Sequence, residues 1–354
     1  MSKIIKNVSG KQKKQIDAAV KRARPNGSGK VPVTAQQSIP FKQMFKDGIC
    51  KVDDNYFTKT VQFFDINYQL AQNEDKTAIF ENYCDFLNYF DSSITVQLSF
   101  LNQVADVEEF HSQLEIGVQN DDFDDIRLEY SEMLKNQLAK GNNGLVKTKY
   151  ITFGVKEKSL KEAKPKLERI EADILNNFKT MGVLAQSMNG AERLAVLHRS
   201  FNPDGREKFR FSWDMLPKSG LSVKDFIAPS SFDFSKGNSF RMSGKYGAVS
   251  FINIMASEIS DRMLADFLNI EHNVTLSIHI QSIDQNKAVK MVKSKITDLD
   301  KMKMEEQKKA FRNGYDIDIM PSDINTFGKE AKSLLNDLQS RNERLFMATI
   351  LIMN

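Results

Sequence analysis

A phosphate-binding loop needs GxxxxGK followed by Ser or Thr: backbone N–H groups cradle phosphate, the lysine neutralises it and the hydroxyl holds Mg²⁺. Two stretches approach this pattern and fail it. Gly27-Ser28-Gly29-Lys30 has Arg24 where the first glycine belongs and Val31 where the hydroxyl belongs, and no strand-like segment precedes it. Gly237 stands at the wrong spacing from Gly244-Lys245, and Tyr246 follows. Neither HExxH nor GxSxG occurs, and the four histidines, His111, His198, His272 and His279, are scattered. They read as satisfied or exposed side chains rather than ligands. The acidic run Asp121-Asp122-Phe123-Asp124-Asp125 lacks the ligand spacing and glycine of a calcium loop, and acids at a helix N-terminus are favoured by the dipole. Cys50 and Cys84 form no CxxC and no Cys/His cluster, which reads as reduced thiols in a cytoplasmic protein. The residues therefore give no catalytic, cofactor-binding or metal-binding set.

The remaining chemistry is electrostatic. The net charge of +4 conceals an asymmetry. Residues 1–30 hold nine Lys and Arg against Asp17 alone, a charge of +8, so the rest of the chain carries 4 − 8 = −4. Lys11, Lys13, Lys14, Lys21, Arg22 and Arg24 are the candidate contacts to nucleic acid or anionic lipid, since clustered cations release counterions or meet acidic headgroups. A solubilising tail is the plainer reading of the same residues. A second basic stretch, Lys287–Lys309, is interrupted by Asp298, Asp300, Glu305 and Glu306, and reads as a solvated helix face or as a contact for DNA or a neighbouring subunit. Met291, Met302 and Met304 on it suit either a core or a soft contact surface.

The elements that would position these groups follow from periodicity. With 354 residues, the chain suits two or three domains. Met1–Ser38 reads as a flexible basic tail with a short helix over Gln12–Arg24. Strands are expected at Ile49–Val52 and Tyr56–Ile66 around the turn Asp53-Asp54-Asn55, then a helix over Glu74–Phe90 capped by Asn73. A strand at Ile94–Leu101 precedes a helix over Asp122–Lys140, and another strand is expected at Tyr150–Val155. Ser159 and Glu162 look like a capping box, but Pro165 places the regular start of that helix at Pro165, with its end at Met181. A helix over Ala191–Phe201 and a loop at Asn202–Gly205 lead to Phe209–Pro229, the least periodic part and the place of Trp213, where the boundary between two halves is set. Strands follow within Phe240–Met255, broken at Gly244 and Gly247. Then come a helix over Asp261–Ile270 and a strand over Val274–Ile283. One or two polar helices over Asp284–Gly314, a helix over Ser322–Glu343 and a strand over Leu345–Met353 complete the chain. The expected fold is mixed α/β: two strand-helix-strand-helix-strand halves, 39–208 and 209–354, with helices packed on sheets. No apolar stretch reaches the roughly 20 residues of a membrane span, and no secretory leader is visible.

The run AQQSIPFKQMFKDGICKVDDNYFTKTVQFFDINYQLAQNEDKTAIFENYCDFLNYFDSSITVQLSF (Ala35–Phe100) resembles the start of the VirB/TraE/TraC-like conjugal transfer ATPases of type IV secretion systems in Gram-positive mobile elements. KGNNGLVKTKYITFGV, AKPKLERIEADILNNFK, GLSVKDFIAPSSFDF, SDRMLADFL and QSRNERLFMATILI resemble later stretches of that family in the same order. The resemblance implies an N-terminal mixed α/β region that precedes a RecA-like motor, docks it onto the membrane channel and shapes its oligomer. The 354 residues contain no phosphate loop, so no ATPase activity is expected of this chain alone, and ATP and Mg²⁺ are expected only for a complete family member. The implied partners are secretion-channel and coupling proteins, further copies in the full-length protein, and the transferred DNA. The implied place is the cytoplasmic face of the cell membrane. The alternative function is a stand-alone nucleic-acid-binding accessory protein acting through the basic tail.

Overall fold

Hydrophobic alternation and turn chemistry build a long open sheet, and the helices cover it. The computed structural model describes residues 34–66, 72–104, 121, 123–129, 132–133, 145–203, 205, 207–254, 263–270, 272–312, 322–341 and 343–354. The fold is mixed α/β, with helices packed against antiparallel sheets, as the sequence implies. Residues group into two compact units, neither continuous in sequence. The first takes the described residues of 1–69, 97–278 and 349–354, and the second those of 70–96 and 279–348.

In the first unit, the short helix α1 (Ala35–Ser38) leads into β1 (Gln43–Met44), β2 (Cys50–Asp53) and β3 (Tyr56–Phe63). The turn at Asp53-Asp54-Asn55 carries a register shift between Lys51 and Asp53. α2 (Asn73–Tyr89) belongs to the second unit. Its cap position is Gln72, which makes no side-chain cap bond, so Asn73 is the first helical residue and not the cap expected of it. β4 (Ile94–Val104) and β5 (Leu145–Lys156) follow. β5 lies antiparallel to β3 over eight residue pairs, from Tyr56↔Lys156 to Phe63↔Lys149.

α3 (Leu160–Thr180) lays Ala163, Leu167, Ile170, Ile174 and Phe178 on β3 and β5, a spacing that keeps one stripe facing the sheet. Ser159 caps it, accepting from Glu162 N. The helix thus begins at Leu160, five residues before Pro165, and not at Pro165 as expected. The proline is exposed, as is Lys161, whose carbonyl loses its helical donor; water can meet that carbonyl, which blunts the cost of an interior proline.

β6 (Ala185–Ser187) pairs with β3, and α4 (Gly190–Phe201) starts at a full capping box between Asn189 and Glu192. Here two loops touch backbone to backbone: a Cβ on Gly48 would stand 2.1 Å from Met188 O, and one on Gly190 2.1 Å from Phe45 O. Arg193 locks the junction, donating to Gly48 O at 2.6 Å and Thr58 O at 2.9 Å. Around it, Ile39, Phe41, Met44, Cys50 and Leu194 form a core with Val223 and Ile227. The aperiodic stretch after Phe209 closes this core through rings: Phe211 meets Trp213 and Phe226 edge-on. It holds only α5 (Met215–Ser219) and a single 3₁₀ turn, Val223–Phe226.

β7 (Phe232–Asp233), β8 (Phe240–Met242) and β9 (Lys245–Gly247) form a separate small sheet. Ser243 and Gly244 both have positive φ, the two-residue turn that matches hairpin twist. β10 (Val249–Ile252), the helix α6 (Met263–Leu268), β11 (Val274–Ser282), α7 (Gln285–Arg312), α8 (Ser322–Ser340) and β12 (Phe346–Met353) complete the chain. The break between β9 and β10 falls at Ala248, with Gly247 inside β9. The large sheet runs β1-β2-β3-β5-β4-β11-β12-β10, with β6 beside β3.

In the second unit, α7 and α8 pack together around Ala288, Val292 and Leu338. The polar segment after Asp284 is one helix rather than two. Phe86 and Phe90 meet edge-on at 5.1 Å, and Arg344 Nε donates to Asn88 O at 2.6 Å. Among the described residues no helix is long and apolar enough to cross a membrane. The helix expected over Gln12–Arg24 lies outside the described residues, as does most of that over Asp122–Lys140, of which 124–129 and 132–133 are helical.

Candidate functional site

A cleft of about 240 Å³ in the first unit gathers residues from several elements. The end of β4 brings Asn102 and Gln103, and the last turn of α4 brings Ser200. Asn202-Pro203, the loop that ends α4, turns Pro203 into the wall. The start of β11 adds Asn273, Val274 and Thr275. The β8–β9 hairpin closes another side with Phe240, Met242, Lys245 and Tyr246, and Met353, the last paired residue of the β10–β12 ladder, and Asn354 after it complete the lining.

Hydrogen bonds hold this lining. Gln103 Nε2 donates to Ser200 Oγ at 3.2 Å, and Ser200 Oγ donates to Val196 O at 2.9 Å. Asn273 Nδ2 donates to Pro203 O at 2.9 Å. Asn102 Nδ2 donates to Ile270 O. Asn102 is only 4% exposed, and its Oδ1 is buried without a hydrogen-bond partner. Among the described lining residues Lys245 is the only charged side chain, and none is acidic.

The rim is aromatic and basic. Lys236 Nζ stands 5.5 Å and the Arg241 guanidinium 5.4 Å from the centre of the Tyr246 ring. Such cations meet the negative face of the ring. Asp233 is the one acid between Phe232 and Gly247. Hydrogen bonds from Ser235 hold its carboxyl below the usual range, with Arg241 and Lys236 adding to the effect. A ladder of rings runs from the core to the cleft: Phe201 meets Phe232 at 5.8 Å, Phe232 stacks on Phe234 at 5.6 Å, and Phe234 reaches Phe240 at 6.2 Å. Next to it, β10 is the last strand of its sheet among the described residues, with Val249 and Phe251 exposed on one face.

The structure brings none of the expected basic site residues to this cleft: Lys11, Lys13, Lys14, Lys21, Arg22 and Arg24 lie outside the described residues. Asp121 and Asp124 both pair with Arg127, so that part of the acidic run is engaged within its own turn. His198 is buried and packs on Phe209 at 5.3 Å. Burial pushes its pKa down, opposed by Glu207 and reinforced by Arg199. His279 is likewise pushed down by burial. Among the described residues no group of three His, Cys, Asp or Glu converges as a metal site. Burial pushes the Cys50 thiol up, which suits an inert core cysteine. On α7, Met291, Met302 and Met304 are exposed.

Sequence reasoning missed Asn102, Ser200 and Asn273. The hairpin beside them did leave a trace, in Ser243-Gly244 flanked by alternating aromatic and basic residues. No protein-family model matches the chain, and no curated protein is similar enough to it to count as a match.

Proposed function

We propose that this chain is a docking and assembly domain of a conjugative type IV secretion ATPase, coupling the motor to the membrane channel during DNA transfer. The stretches from Ala35 to Ile352 that resemble the VirB/TraE/TraC-like family support that reading. The observation that carries it on the surface of the protein is β10. Among the described residues this strand pairs only with β12, and it leaves Phe251 72% exposed with Val249 beside it on the same face. An open edge with apolar side chains is a template for another protein, which adds a strand or covers the face. The partner in this reading is a cytoplasmic segment of the secretion channel.

The test is binding of the purified chain to the purified channel subunit encoded on the same mobile element. Val249→Lys with Phe251→Lys places charge on the open face, and is expected to weaken binding by roughly tenfold or more, as loss of an anchor residue does. The same pair of substitutions is expected to lower transfer frequency in a mating assay. Binding and transfer both unchanged would overturn the reading, as would ATP hydrolysis by the pure chain that survives controls for contaminants.

A further inference from the structure

Helix α2 buries Phe86 and leaves a second apolar stripe outside. Phe80, Tyr83 and Leu87 follow one another at i, i+3 and i+7, so they share a face. Phe80 is 61% and Tyr83 42% exposed. Beside that stripe run Glu74, Glu81 and Asp85, at i, i+7 and i+11, all exposed. Burial pushes the Cys84 thiol up, and Glu343, Asp85 and Glu81 add to the effect, so three acids lie around a position between the two stripes. No ion pair among the described residues engages Glu74, Glu81, Asp85 or Glu343. Such a face, apolar anchors at helical spacing with an acidic flank, complements a basic amphipathic helix.

The chain's own sequence contains that complement. Within Gln12–Arg24, Ile16, Ala19, Val20 and Ala23 fall at i, i+3, i+4 and i+7. Lys13 and Arg24 flank that stripe eleven residues apart, the spacing of Glu74 and Asp85, and Asp17 is the one acid among five bases. Thirteen residues at helical rise span about 20 Å and the 17 of α2 about 26 Å, so the two stripes match in length. We propose that α2 docks the basic head of a second copy of this chain. Ile16 and Val20 meet Phe80, Tyr83 and Leu87, and the flanking cations meet the acids. Each copy offers both halves, so the contact is heterologous and adds copies head to tail. It gives a contact to the assembly role proposed above and rests on that half of the reading; docking at β10 is separate. One helix face on another is small beside the standard of about 800 Å² per partner, so the association is weak and sensitive to salt.

The experiment is sedimentation velocity of the full chain over a range of concentrations. The sedimentation coefficient rises with concentration at about 0.05 M salt and returns to the monomer value at about 0.5 M, where exposed charges are screened. The chain lacking residues 1–30 stays monomeric at low salt, and so does the full chain with Glu81→Lys and Asp85→Lys. Mixed, these two variants form a 1:1 complex, because one brings an intact α2 and the other an intact head. Lys13→Glu with Arg24→Glu, added to the α2 double variant in one chain, restores self-association, a rescue that misfolding cannot produce. Val249→Lys with Phe251→Lys, the test of docking at β10, leaves self-association unchanged, so the two proposals fail separately. The proposal is overturned if the full chain is monomeric at every concentration, or if the mixed variants do not pair. It is also overturned if a labelled peptide of residues 12–24 binds the head-deleted chain but not the dilute full chain, which would assign the face to its own head. Loss of channel binding by the α2 variant with self-association intact would assign the face to the channel instead, and overturn it equally.

Discussion

Lys59 and Glu171 form an ion pair between β3 and α3, with Ser187 Oγ also donating to the carboxylate. Lys59 is 5% exposed and Glu171 9%. Removing one partner strands a charge in the interior, so Glu171→Ala is expected to cost about 3–5 kcal/mol in chemical denaturation. Replacing both, as Lys59→Met with Glu171→Leu, is expected to return most of that loss, since a packed apolar pair needs no desolvation. A double-mutant cycle measures the difference. His198 gives a second residue-level expectation, in pH. Its folded pKa lies below the ordinary value of about 6.5, so between the two the unfolded chain binds the extra proton and the folded one does not. Stability therefore falls as pH drops through the unfolded value, and levels off only below the folded one. Denaturation midpoints across that range check the slope, and His198→Phe, which keeps the ring against Phe209, is expected to flatten it.

At the scale of elements, the junction between the loop before β2 and the start of α4 has no space for a side chain. Gly190→Ala drives a Cβ into Phe45 O and toward the Trp213 ring, 2.8 Å away, and the obstacle is backbone. Gly182, after α3, has φ +73° but nothing within 4 Å. Gly182→Ala is therefore expected to cost only the left-handed penalty of about 1–2 kcal/mol, and Gly190→Ala clearly more. Thermal melts of the two variants test that order. The elements themselves were largely legible. The apolar spacing of Leu167, Ile170, Ile174 and Phe178 could belong only to a helix on a surface, and Asp53-Asp54-Asn55 announced the hairpin. The start of α3 differs from the expected one because burial of Ala163 favours a helical turn ahead of an exposed proline that local preference would put first. The Asn189–Glu192 capping box is visible in the sequence as an asparagine three residues before a glutamate. The cleft was not legible at all. Asn102, Ser200, Lys245 and Asn273 have no common period or motif, and they come from four separate places in the chain: β4, α4, β9 and the approach to β11.

At the scale of the whole molecule, charge is segregated: +8 in residues 1–30 against −4 in the rest. If the basic head touches DNA, deleting residues 1–30 is expected to weaken binding and flatten its dependence on salt, because the slope counts the phosphates neutralised. Fluorescence anisotropy of a labelled oligonucleotide at several salt concentrations reads both. An unchanged slope would assign DNA contact to the folded body, where α7 carries Lys287 to Lys309.

The order of the large sheet also bears on how the protein is made. β12 comes last of its strands in sequence yet sits between β11 and β10, which precede it. A ribosome therefore releases β10 and β11 with the slot between them empty, and the two must wait through the synthesis of α7 and α8. During that interval both strands present bare edges to the crowded surroundings of a nascent chain. Chaperone demand should be greatest then, and a translation pause before Phe346 should lower yield more than one after Met353.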